Sequence, residues 1–176
     1  VLAEDENVFL SISSTTREVR TGEVEGVTYN YISKNSFEEM ISSDTMLEWA
    51  VYSGNYYGTP RKDVEKMLNE GKNVILEIEV QGAFKVKEIF PETVMIFVVP
   101  PSMKELKKRL TERGRESESQ IKVRMETARR ELELAPRYDY VIINDTLENC
   151  VEEMRDVIRQ TEEKRTLIKD LLNEKY

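Results

Sequence analysis

Not one histidine occurs in the 176 residues. Its absence takes away the commonest general base near neutral pH and the commonest metal ligand, which disfavours triad hydrolases and zinc enzymes. Cysteine is nearly as scarce: Cys150 stands alone, so no internal disulfide can form, and a cytoplasmic setting is expected. No apolar run approaches the ~20 residues of a membrane helix, and no signal-peptide pattern opens the chain. Internal repeats and low-complexity tracts are also missing. Carboxylates, phenols and arginines are left to carry any chemistry.

Basic charge is the minority sign, 26 Lys and Arg against 34 Asp and Glu, for a net charge of −8. A general nucleic-acid binder would show a broad basic face, so that class is disfavoured. The exception is 102–130, with ten Lys and Arg against five Glu. Such a segment suits a small, highly charged anion, and a solvated helix face would give the same count. With 39% hydrophobic residues the chain can bury a core as one compact unit with lobes.

The patterns predict alternating elements. Strands are expected over Val8–Ser14, Val27–Ile32 and Met46–Tyr52, with a helix over Phe37–Ile41 capped by Ser36 and carrying acidic residues in its first turn. An amphipathic helix follows over Arg61–Glu70, stopped by Gly71. Apolar strands are read at Asn73–Val80, Thr93–Val99 and Tyr138–Asn144. Between them come a helix to Ile89, a helix over Met103–Glu112 capped by Ser102, and one from Ser117 to about Leu134. Strand and helix in this rhythm predict an α/β fold, a parallel sheet flanked by helices. Arg113-Gly114-Arg115 reads as a mobile corner. From Leu147 helical spacing runs to the end, and its last turns fit either the core or another subunit, which leaves a homo-oligomer open.

Two stretches carry chemistry. Glu48–Pro60 reads EWAVYSGNYYGTP, in which Gly54 and Gly58 are expected to turn the backbone and bring two phenols near Glu48. Ser11–Arg20 reads SISSTTREVR, hydroxyls running into two arginines, the makings of an anion receptor.

Ser13-Ser14-Thr15-Thr16-Arg17, Arg20-Thr21-Gly22-Glu23, Tyr29, Glu48-Trp49-Ala50 and Gly54–Thr59 stand in the order and spacing of guanylate kinases. The resemblance continues through Ile75–Ala83, Pro100-Pro101-Ser102, Arg113-Gly114 and Val141–Asp145, nearly the whole chain. It implies a P-loop NTPase-like core (1–12, 61–101 and 131–176), an inserted strand-rich GMP-binding lobe (13–60) and a helical lid (102–130). The implied reaction moves the γ-phosphoryl group of ATP to GMP, giving ADP and GDP, with Mg²⁺. Guanine offers two adjacent donors, N1–H and the N2 amine, which one carboxylate can accept together, so Glu48 is the expected reader of the base. By resemblance Ser13, Thr59 and Glu79 complete the base and ribose contacts, and Arg17, Arg20, Tyr29 and Tyr57 surround the phosphate of GMP. Tyr29 on an alternating strand also fits plain packing, and Tyr56 is read as packing. Arg113 and Arg124 match the lid arginines that clamp ATP, Asn144 matches the adenine contact, and Arg17, Arg113 and Arg124 are the expected catalytic cations. Glu77 and Glu79 lie where carboxylates steer Mg²⁺ through water, with no direct metal ligand expected.

One departure stands out. The chain contains no G-x-x-x-x-G-K-[ST], the loop that cradles a nucleoside triphosphate. The family carries it on a first strand and helix, which are expected to precede Val1, with VLAEDENVF closing that helix. A polypeptide of this sequence is therefore expected to bind GMP and transfer phosphate poorly. A guanylate-kinase-like module that binds phosphorylated partners without catalysis is the alternative.

Overall fold

The computed structural model describes residues 5–114 and 116–173, with Lys169 and Leu171 described by backbone alone. Val1–Glu4 and Arg115 lie outside the described residues, and with them the start of the VLAEDENVF stretch and one arginine of the expected corner. The chain divides into two compact units, Leu2–Thr93 and Val94–Tyr176.

In the first unit, β1 (Val8–Leu10) is short and pairs in parallel with β6 (Asn73–Ile75), in register Val8↔Asn73 to Leu10↔Ile75. The strand expected over Val8–Ser14 is divided: after Ser11 the chain leaves this pair and β2 (Ser14–Thr15) joins another sheet. That sheet has four strands in the order β3-β2-β5-β4, with β3 at Asn30–Tyr31, β4 at Met46–Tyr52 and β5 at Asn55–Pro60. The alternation over Val27–Ile32 overstates β3. Val27 is exposed, and the N–H groups of Val27 and Thr28 both bond the Val24 carbonyl, so the apolar start of the run is a turn.

Hairpin β4–β5 is built on Ser53 (φ 48°) and Gly54 (φ 80°), two consecutive left-handed residues whose twist matches the flanking strands. Gly58 does not turn the chain as expected. It lies within β5, where a Cβ would fall 2.8 Å from the Glu48 carbonyl oxygen and 2.9 Å from both Phe37 Cζ and Trp49 Cβ.

Helix α1 spans Lys34–Ser42 and is capped by Ser33, whose hydroxyl accepts the Ser36 N–H at 3.1 Å, three residues ahead of the expected cap. Its first turn contains no acidic residue. Helix α2 (Arg61–Asn69) ends before Gly71 (φ 79°), as expected. β6 stops at Ile75, and α3 runs over Val80–Ile89 with Gln81 and Gly82 inside its first turn. Leu47, Val64 and Val86 form the core here, with Val74, Leu76, Ile78 and Phe90 packed on it.

The second unit pairs β7 (Ile96–Val99) with β8 (Tyr140–Ile143) in parallel. Between them lie α4 (Met103–Glu112), α5 (Glu118–Leu132) and a 3-10 turn at Ala135–Arg137. The Ser102 hydroxyl caps α4, and Ser117 with Gln120 forms a capping box on α5. Gly114, at φ 61°, ends α4. Helix α6 occupies Leu147–Asn173. The fold is α/β with parallel strand pairs, as the rhythm predicted. Among the described residues two of the parallel pairs, β1–β6 and β7–β8, are two-stranded sheets, and a third, β2–β3, lies within the four-stranded sheet.

Candidate active site

Strand pairing sorts the side chains of the four-stranded sheet. Directly paired residues share a face, and successive residues alternate. Glu48 pairs with Thr59, Ala50 with Tyr57, Thr15 with Tyr57 and with Tyr31, so these residues line one face. Trp49, Tyr56 and Gly58 fall on the other. There the Tyr56 ring stacks on Phe37 at 5.1 Å and lies 5.9 Å from Trp49, the packing role expected of it.

Glu48 is 4% exposed, and its Oε1 accepts the hydroxyl of fully buried Thr59 at 2.7 Å. The carboxylate lies against the first turn of α3, where Gly82 leaves room: a Cβ there would overlap Glu48 Oε2. A helix N-terminus favours negative charge at such a place. Burial pushes the Glu48 pKa up; the Thr59 bond and the charge of Lys85 oppose the rise, and Glu79 adds to it. Lys85 donates to the Trp49 carbonyl at 3.1 Å and lies 4.9 Å from the centre of its indole, a cation–π contact.

Arg17 is the centre of the second cluster. Its Nη2 and Nη1 donate to the two oxygens of Glu23 at 2.8 and 2.9 Å, and Nη1 also donates to the Glu18 carbonyl at 2.7 Å. The guanidinium lies 5.5 Å from the Tyr29 ring centre and 5.8 Å from that of Tyr31. Tyr29 and Tyr57 meet edge to face at 5.9 Å. The Glu23 bond holds the Arg17 pKa above its usual value, and Arg17 in turn brings Glu23 down to about 2. Desolvation raises the Tyr29 pKa, with Glu77 the next cause.

Of the other expected residues in this unit, Ser13 accepts the Asn30 N–H on its carbonyl at 2.9 Å, Arg20 is exposed, and Glu79 is the half-buried N-cap of α3. Glu77 is exposed. Thus Ser13, Arg17, Arg20, Tyr29, Glu48, Tyr57, Thr59 and Glu79 all belong to the first unit, whereas Arg113, Arg124 and Asn144 belong to the second. Arg113 is exposed at the end of α4, and Arg124 pairs with Glu116 at 3.2 Å. Asn144 follows β8, with its N–H on the Val99 carbonyl and its own carbonyl accepting Arg109 Nη1 at 2.9 Å.

Sequence reasoning assigned no role to Glu23, Tyr31, Gly82, Arg109 or Glu116, although Glu23 and Gly82 stand within the motifs that carry the resemblance. The spacing of Arg17 and Glu23 held a hint for the first: six residues across a turn is enough for a fork to close on a carboxylate.

Comparison with known proteins places the chain in one family. The family model for guanylate kinase matches residues 1–161. A guanylate kinase of Halalkalibacterium halodurans is 48% identical over 172 residues, 98% of this chain and 82% of that protein. One from Clostridium perfringens strain 13 is 46% identical over 158 residues, 90% of this chain and 73% of that protein. The crystal structure of guanylate kinase from Anaplasma phagocytophilum superposes with a TM-score of 0.77 at 36% identity, over 88% of this chain and 76% of that one. On the extent of the family match and the identity to these relatives, the chain belongs to the guanylate kinase family.

Proposed function

We propose that this member of a family of ATP:GMP phosphotransferases binds GMP on the polar face of its four-stranded sheet and reads the base with Glu48. The reading rests on a buried carboxylate held at one oxygen by the Thr59 hydroxyl. That bond leaves acceptor capacity on both oxygens, so N1–H and the N2 amine of guanine can be met together, and adenine, with an acceptor at N1, is refused. Ser13 and Glu79 complete the base and ribose contacts. Arg17, Arg20, Tyr29 and Tyr57 take the phosphate, guanidinium forks pairing its oxygens and phenols adding donors without charge.

Arg113, Arg124 and Asn144 serve ATP, the two arginines neutralising charge as the phosphoryl group moves. Transfer of this kind asks for alignment and charge neutralisation more than for a general base, which suits a chain without histidine. The division follows 102–130 as lid, 13–60 as acceptor lobe and the remainder as core. Among the described residues no three His, Cys, Asp or Glu gather into a metal cluster. The oxygen donors of Glu77 and Glu79 fit Mg²⁺ through its water shell, and bound Mg²⁺ would neutralise charge on the phosphates of ATP.

Glu48→Gln replaces one acceptor by a donor facing guanine. Calorimetric titration should show GMP binding weakened by ~1–3 kcal/mol, with a melting temperature no lower than that of the parent. Unchanged GMP affinity would remove Glu48 from the site.

A further inference from the structure

Glu23 occupies an unusual place for an acid, inside a cluster read as an anion receptor. Its carboxylate accepts four hydrogen bonds: from Arg17 Nη2 at 2.8 Å and Nη1 at 2.9 Å, from the Arg20 backbone N–H at 2.8 Å, and from the Tyr31 phenol at 2.7 Å. Arg17 and Glu23 side chains are only 10% and 15% exposed. One carboxylate thus ties the side chain of one phosphate-reading arginine to the backbone of the other.

A guanidinium has five N–H groups. Glu23 takes two of those on Arg17 and the Glu18 carbonyl a third. Left over are Nε–H and the second Nη2–H, which lie along one side of the planar group and form its other bidentate edge. Tyr57 also bonds this guanidinium, and with both Nη1 hydrogens taken it must do so along that side edge; the Tyr29 ring lies 5.5 Å away. The end of the fork is spent on the Glu23 carboxylate, whereas its side meets only a neutral phenol, which a phosphate can join.

We propose that Glu23, braced by Tyr31, is a positioning residue for GMP: it holds Arg17 by one edge so that the other meets the phosphate. This rests on the reading of Arg17 as a phosphate ligand. An opposite role is physically possible for an acid at this place, that of an internal anion competing with GMP for Arg17. The two differ in sign. Removal of a positioner weakens phosphate binding, whereas removal of a competitor tightens it.

The test is calorimetric titration of the chain with GMP and, separately, with guanosine, which lacks the phosphate. Glu23→Ala should weaken GMP about tenfold or more, the range of one charge-assisted contact, and leave guanosine within about twofold. Glu23→Gln, close in shape, should weaken GMP as well through loss of the ion pair, and it keeps the test open if the alanine variant fails to fold. Tyr31→Phe should produce a smaller loss in the same direction. Tighter or unchanged GMP binding would overturn the proposal, as would equal losses for GMP and guanosine, which would mean general damage to the lobe. Arg17→Ala is the control: if it leaves GMP affinity intact, the reading of Arg17 fails, and if it weakens GMP while both Glu23 variants do not, positioning alone fails.

Discussion

Glu48 and Glu23 sit on opposite sides of the ordinary carboxylate pKa, and the causes differ. Burial raises Glu48, whereas the Arg17 fork lowers Glu23 from 4.5 to about 2. For Glu48 the folded state binds the proton more tightly than the unfolded chain, so its contribution to stability is fully present below the unfolded pKa and lost as pH rises through the folded value. For Glu23 the sign reverses: its contribution is present above the unfolded pKa and is lost as pH falls toward about 2. Two outcomes are expected. Glu48→Gln should melt higher than the parent at pH 7, with the difference closing below about pH 4.5 where both forms are neutral, which thermal melts across pH would show. Guanosine is the better ligand for following recognition, because the phosphate of GMP itself titrates near pH ~6. Guanosine affinity of the parent should fall on acidification at a pH above the usual carboxylate value, and that of the glutamine variant should stay flat. A parent curve that is also flat would mean the ionised acid does not read the base.

At the scale of elements, two glycines that look alike in sequence do different things. At Gly58 an added Cβ meets the Glu48 carbonyl oxygen at 2.8 Å, backbone that cannot swing away, so Gly58→Ala should cost ~1–3 kcal/mol of stability as hairpin β4–β5 is forced apart. At Gly82 the obstructing atoms are the end of the Glu48 side chain, which can move. Gly82→Ala should therefore shift the carboxylate, weakening guanosine binding several-fold while the melting temperature changes little. Chemical denaturation and titration of both variants separate the two cases. Neither role was legible beforehand. The sequence led to Glu48 and Thr59 through residue type and family spacing, and the cap on α5 through Ser117 and the helical pattern after it. Gly58 was misread as a turn because local composition cannot tell a glycine that bends the chain from one that admits a neighbouring strand. Cap Ser33 lost to Ser36 because Ser36 directly precedes apolar Phe37 whereas Ser33 is followed by Lys34 and Asn35; the extended backbone at Ser33 (φ −65°, ψ 157°) decides for it. Glu23 went unassigned because its meaning lies in a bond across a turn, and periodicity carries no record of such a bond.

For the whole molecule the partition of charge and of expected roles is the same partition. The acceptor residues belong to Leu2–Thr93, and the basic stretch 102–130 with all the expected ATP contacts belongs to Val94–Tyr176. Much of that basic charge is answered locally, Arg109 by Glu105 at 3.0 Å and Arg124 by Glu116 at 3.2 Å, while Arg113 remains exposed. Exposed Arg113 can turn to an incoming polyphosphate at small cost, whereas Arg124 must leave Glu116, whose side chain is only 11% exposed. If recognition is divided as the residues are, GMP affinity should be indifferent to the lid. Arg113→Ala and Arg124→Ala are expected to leave the GMP dissociation constant within about twofold, since these arginines and the acceptor residues belong to different units and substitutions without shared partners are close to additive. The same variants should weaken ATP by about tenfold each through loss of a charge-assisted contact, and ATP binding should fall more steeply with salt in the parent than in either variant. Titrations with each nucleotide at two ionic strengths measure all of this. A lid substitution that weakens GMP as much as ATP would show that the two nucleotides are bound by one coupled site, and the separation of acceptor and donor residues between the units would then have no functional meaning.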